Sequence, residues 1–192
     1  MAAMNRVSII GTTGSGKSTL AAQLAHRLEM PCIELDAIHW QQPDWNPISR
    51  EQFQSEVAEV VRAEQWVIEG GYSIVRPLIW TRADTILWLD YSFPVTFSRL
   101  LRRTTRRILR REALWGSNRE TFQKTLSRDS ILLWLLKTHG QNRQKFAVQL
   151  ALPENQHLHV YRFDSPRQAE AWLNALPAGT KESASTTPLA PR

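Results

Sequence analysis

The stretch Ile9-Ile10-Gly11-Thr12-Thr13-Gly14-Ser15-Gly16-Lys17-Ser18-Thr19-Leu20 decides how the rest of the chain is read. Gly11, Gly16, Lys17 and Ser18 stand at the fixed positions of the G-x-x-x-x-G-K-[ST] phosphate-binding loop. The apolar run Val7 to Ile10 precedes them, and Leu20, Leu24 and Leu28 recur behind them at helical spacing. A strand therefore feeds a loop that feeds a helix. In that setting the glycines let backbone N–H groups turn inward and the helix N-terminus adds partial positive charge, so a triphosphate is met by donors and a dipole. Gly11, Thr12, Thr13, Gly14, Ser15, Gly16, Lys17, Ser18 and Thr19 form the expected ATP-binding set, with Lys17 bridging the outer phosphates and the Ser18 hydroxyl on Mg²⁺.

Outward from the loop, strand-like and helix-like segments alternate. Pro31 to Asp36 reads as a second buried strand ending in a carboxylate, and His39 to Pro47, with Trp40 and Trp45, as a turn-rich aromatic loop. Ser49 and Gln52 make a capping box for a helix whose apolar stripe is Phe53, Val57, Val60 and Val61, so residues 37–64 are expected to form a small cap over a site. Trp66 to Glu69 is a third strand, closed by Gly70-Gly71-Tyr72, and Thr85 to Asp90 a fourth. Both end in an acid at a strand-to-loop junction, where open parallel sheets hold their ligands. Pro94 opens a helix that runs through an arginine block to about Ala113, breaks at Trp115-Gly116-Ser117-Asn118, and gives way to a second one marked by Ile131, Leu132, Leu135 and Leu136. Leu158 to Phe163 is a fifth strand, and Ser165, Pro166 and Gln168 start the last helix. From residue 177 to 192 little can be buried, which predicts a disordered tail. The alternation predicts an α/β domain over 5–176, a three-layer P-loop NTPase fold around a five-stranded parallel sheet.

Composition sets outer bounds. The 192 residues fit one domain, and 42% hydrophobic content is ordinary for a globular chain. A single cysteine, Cys32, excludes an intramolecular disulfide and a four-cysteine metal cluster, and predicts a reducing, cytoplasmic setting. No segment approaches the ~18 apolar residues of a membrane span, so no membrane partner is expected. The net charge of +6 suits an anionic partner without saying which.

The loop, the Leu35-Asp36 segment with His39-Trp40 and Pro43-x-Trp45, the run Trp66 to Tyr72, Leu89-Asp90, and the arginine block before Leu114-Trp115-Gly116 together resemble the adenylate-kinase-like P-loop proteins often called DNA topology modulation proteins. The resemblance covers about residues 5 to 175. It implies a kinase of the nucleoside monophosphate or small-molecule type that moves the γ-phosphate of ATP, with Mg²⁺, to a small-molecule or nucleotide acceptor. One departure is visible: Glu69 stands where related sequences usually carry Asp, followed by Gly70-Gly71 where a Gly-Asn pair is common. The longer carboxylate still reaches Mg²⁺ through water.

Under this resemblance Asp36 sits where the related kinases bind the acceptor, and a carboxylate there can take the proton of an attacking hydroxyl. His39, Trp40 and Trp45 could stack on its ring, and Arg76, with Arg82 behind it, could meet a phosphate on it. Glu69 is the candidate metal carboxylate beside Ser18, with Asp90 as the alternative. Arg99, Arg102, Arg103, Arg106, Arg107, Arg110 and Arg111 recur every three or four residues as a cationic stripe on one helix face, leaving Leu101, Ile108 and Leu109 for packing. Like charges so spaced repel, so the stripe calls for an anion. The resemblance implies a lid over 99–118 that closes on the ATP phosphates, with Lys17, Asp36, Arg103 and Arg107 as the catalytic set. A competing expectation is a nucleic-acid-binding regulatory ATPase, whose binding would be weak and sequence-independent.

Overall fold

The computed structural model describes residues 4–110 and 131–177. Five strands form one parallel sheet: β1 (Arg6–Gly11), β2 (Cys32–Glu34), β3 (Trp66–Glu69), β4 (Thr85–Leu89) and β5 (His159–Phe163), in the order β2-β3-β1-β4-β5. β3 and β4 are buried along their whole length, as expected of inner parallel strands covered on both faces. Their sequences, Trp-Val-Ile-Glu and Thr-Ile-Leu-Trp-Leu, are near-continuous apolar runs for that reason.

Parallel neighbours need crossovers, and the helices supply them. α1 (Lys17–Leu28) links β1 to β2. α2 (Leu35–His39), a 3₁₀ turn (Pro43–Trp45) and α3 (Arg50–Val60) link β2 to β3, and α4 (Arg76–Arg82) links β3 to β4. α5 (Phe93–Arg110) and α6 (Ile131–Leu150) stand between β4 and β5, and α7 (Pro166–Ala175) follows β5. Successive strand residues point to opposite faces, so Ile10, Ile68, Ile86 and Trp88 pack with Phe53, Val57, Ile79, Trp80 and Phe146. Val7, Ile9, Val67, Leu87 and Leu89 pack on the other side with Leu20, Ala21, Leu24 and Leu173. The three layers and the five parallel strands match the expectation. So does the start of α3, where Ser49 Oγ accepts from the Gln52 N–H at 3.1 Å.

Three local readings change. β2 stops at Glu34, and Asp36 lies in the first turn of α2 rather than at a strand end. α4 is a helix that no apolar periodicity in the sequence announces, because it is short and carries Pro77 at its start. α5 does not pack through Leu101 and Leu109, which are 44% and 71% exposed. It packs through Thr96, Leu100 and Thr104, spaced four apart, with two small residues that allow a close approach. Arg111, the break at Trp115 to Asn118 and the tail from residue 178 lie outside the described residues.

Candidate functional site

The phosphate loop joins β1 to α1 at the C-terminal edge of the sheet, with β3 on one side and β4 on the other. At its centre Gly14 holds φ +81°, and a Cβ there would lie 2.5 Å from the Thr96 carbonyl oxygen and 2.9 Å from Leu100 Cβ. The loop therefore rests directly on α5. The Arg99 guanidinium reaches the same loop, with Nη2 2.9 Å from where a Cβ on Gly16 would sit. Lys17 Nζ donates to the Thr12 carbonyl at 3.2 Å. The hydroxyls of Thr12 and Ser15 are buried without a hydrogen-bond partner. Unsatisfied polar groups inside a fold are costly, and here an incoming anion would answer them.

Beneath the loop, Ser18 Oγ donates to Glu69 Oε1 at 2.9 Å. Glu69 ends β3 and is buried. Burial raises its pKa; Lys17 opposes the rise, Asp36 adds to it, the Ser18 hydrogen bond opposes it and Glu34 adds to it. With its proton directed at Glu69, the Ser18 oxygen has lone pairs left for a cation. One hydroxyl and one carboxylate suit Mg²⁺, which takes few protein ligands and completes its shell with phosphate and water oxygens. Among the described residues no cluster of three His, Cys, Asp or Glu side chains could hold a metal alone.

Across Glu69 lies Asp36, whose Oδ1 accepts a 2.6 Å hydrogen bond from the Tyr72 hydroxyl. Tyr72 belongs to a cluster of rings: the His39 centroid is 4.7 Å from Trp40, 4.9 Å from Phe53 and 4.8 Å from Tyr72, and Trp40 meets Trp45 at 5.9 Å. Burial lowers the His39 pKa against the pull of Asp36. Arg76 is engaged elsewhere. It donates to the Gly71 carbonyl at 3.0 Å and to the Gln149 side chain, and stacks on Trp80 and Phe146, which ties α4 to α6. Arg82 donates to the Arg62 carbonyl and pairs with Glu64 at the surface.

Asp90 and Glu69 divide clearly. The Asp90 carboxylate is held by Arg162 Nε at 2.9 Å and by Arg143 at 3.1 Å, with the Arg162 guanidinium 4.5 Å over Trp88. Of the two acids, Glu69 is the one in contact with the loop hydroxyl. On α5, Arg103 and Arg107 are half-buried at the edge of the packed face, while Arg99, Arg102, Arg106 and Arg110 are exposed. The approach of Arg99 to the loop falls on the arginine stripe that the sequence singles out, but sequence reading missed two features here: the Tyr72 bond to Asp36 and the Arg143–Asp90–Arg162 cluster. Only Tyr72 left a signal, as the residue after the paired glycines that close β3.

A phosphate loop after the central strand of a β2-β3-β1-β4-β5 parallel sheet defines the P-loop kinase fold. The family model described as shikimate kinase matches residues 13–150, and the chain belongs to that family. Solved structures agree on the fold. Shikimate kinase from Acinetobacter baumannii, in complex with shikimate, aligns with TM-score 0.53 at 14% identity, over 89% of this chain and 92% of that one. Shikimate kinase from Aquifex aeolicus aligns with TM-score 0.52 at 15% identity, over 88% and 91%. Shikimate kinase from Bacteroides thetaiotaomicron gives 0.50 at 19%, over 90% and 96%. No curated protein matches in sequence. No helix among the described residues is long and apolar enough to cross a membrane.

Proposed function

We propose that the protein moves the γ-phosphate of ATP to a hydroxyl of a small molecule held against Asp36. The observation that carries this reading is the position of Glu69, hydrogen-bonded to Ser18 beside the loop and near enough to Asp36 for that charge to add to its raised pKa. A phosphate donor site and a carboxylate able to take a proton thus share one buried acid. Lys17 and the loop N–H groups bind the phosphates, Ser18 and Glu69 hold Mg²⁺, and Asp36 orients the acceptor hydroxyl and takes its proton. When bound, Mg²⁺ neutralises charge on the phosphate oxygens. Residues 37–64 serve as the cap, with His39 and Trp40 lining the acceptor, and the lid expected over 99–118, of which 99–110 are described, brings Arg103 and Arg107 to the phosphates. Arg76 stays a structural tie unless a phosphorylated acceptor draws it from Gly71. A reducing, cytoplasmic setting suits the single cysteine.

Radiolabelled ATP against a panel of polyols, hydroxy acids including shikimate and gluconate, nucleosides and nucleoside monophosphates tests the proposal. Transfer to at least one acceptor is expected, reduced roughly 100-fold or more in Asp36→Asn with ATP affinity unchanged. Hydrolysis without transfer, or transfer indifferent to Asp36→Asn, refutes it. Phosphorylation of a nucleoside monophosphate would place the protein with the nucleotide kinases, and of a hydroxylated metabolite with the small-molecule kinases.

A second reading, the nucleic-acid-binding ATPase of the DNA topology modulation branch, draws on the exposed arginines of α5. It requires DNA binding that falls steeply with salt. Absence of binding to duplex or single-stranded DNA at low ionic strength removes it.

A further inference from the structure

We infer that Tyr72 is a positioning residue for phosphoryl transfer, fixing the Asp36 carboxylate through the hydrogen bond its hydroxyl donates; this rests on the reading of Asp36 given above. A carboxylate can only accept, so the phenolic proton points at Asp36. The 2.6 Å distance to Oδ1 is that of a charge-assisted O–H···O⁻ bond. Burial and the neighbouring Asp36 charge raise the Tyr72 pKa, so the phenol stays a donor at any working pH.

The backbone is shaped for this contact. Gly70 holds φ +143°, and a Cβ there would lie 2.8 Å from both Cβ and Cδ1 of Leu35. That close approach brings the segment after β3 against the start of α2, where Leu35 and Asp36 adjoin. The Tyr72 ring is then held by His39 at 4.8 Å and Phe53 at 5.1 Å, so its hydroxyl has little freedom. With Oδ1 engaged by Tyr72, Oδ2 is the oxygen left to take a proton from an acceptor hydroxyl. A carboxylate held by Tyr72 presents its free oxygen in one place, and misplacement on the ångström scale costs up to ~10²-fold in rate.

Tyr72→Phe keeps the ring and removes the donor. With the best acceptor from the panel, kcat should fall about 10-fold or more while the KM for ATP and acceptor-free ATP hydrolysis hold. The double variant Asp36→Asn/Tyr72→Phe should be no slower than Asp36→Asn, because the two act as a unit. 3-Fluorotyrosine incorporated at position 72, which keeps the ring and the hydroxyl and changes the strength of the O–H donor, should shift kcat without shifting the KM for ATP, and serves if Tyr72→Phe does not fold. An unchanged kcat in Tyr72→Phe, multiplicative losses in the double variant, or a parallel fall in ATP hydrolysis overturns the inference. If wild type transfers to no acceptor, the Asp36 reading fails and takes this one with it. Transfer that needs Asp36 but ignores Tyr72 overturns this inference alone.

Discussion

Gly14→Ala tests how tightly the phosphate loop is fitted to α5. The new Cβ would sit 2.5 Å from the Thr96 carbonyl oxygen and 2.9 Å from Leu100 Cβ, and neither can give easily. Thr96 is fully buried, and its carbonyl is rigid helix backbone. Two costs add: roughly 1–2 kcal/mol for a side chain at left-handed φ, and roughly 1–3 kcal/mol for overpacking. The sum, about 2–5 kcal/mol, corresponds to a melting temperature lower by about 4–20 °C in a chain of this size. Scanning calorimetry reads the shift, and two glycines serve as internal controls. A Cβ on Gly71 or Gly140 meets nothing within 4 Å. Gly71→Ala should therefore be neutral, and Gly140→Ala, inside α6, should raise stability by about 0.5–1 kcal/mol. Because α5 carries the arginines, ATP affinity should fall in Gly14→Ala as well. A Gly14→Ala protein melting within about 2 °C of wild type would refute the packing argument.

Lys17→Ala should abolish turnover and weaken ATP binding, read by titration calorimetry, while the melting temperature of the free protein holds, since Lys17 contributes one bond to Thr12 and no core contact. Glu69→Gln should separate stability from activity. Glu69 has a raised pKa, so below the ordinary carboxylate range both folded and unfolded forms are protonated and carry no penalty; as pH rises the unfolded form ionises first, and the penalty is complete above the folded pKa. The Gln variant should thus gain on wild type in melting temperature as pH rises from about 4 to 8, yet lose Mg²⁺-dependent turnover; equal melting curves at every pH would contradict the assigned burial. Arg103→Ala and Arg107→Ala should each lower turnover by ~10³-fold, on the scale of an arginine finger, and Arg102→Ala and Arg110→Ala should do little in the same steady-state assay. A uniform loss of DNA affinity with full turnover in all four would instead mark the stripe as a nucleic-acid track.

The sequence determined the elements whose signals are local. A phosphate loop is one contiguous backbone segment with obligatory glycines and a lysine, so residues 11–19 were legible with no knowledge of what packs around them. Inner parallel strands are apolar on both faces, so β1, β3 and β4 were equally plain, and with them the class of fold. Tertiary structure decided what depends on which surfaces meet. Helical spacing showed that the α5 arginines share a face, but only packing showed that Thr96 and Thr104, small and polar, are the buried side while Leu101 and Leu109 face outward. The acids at the ends of β3 and β4 looked alike in sequence. Their neighbours differ: Glu69 meets Ser18 across 51 residues of chain, and Asp90 meets Arg162 across 72. Tyr72 reaches Asp36 from 36 residues away because Gly70 admits Leu35. Contacts of that separation are set by sheet order and crossover geometry, which no local pattern of side chains encodes.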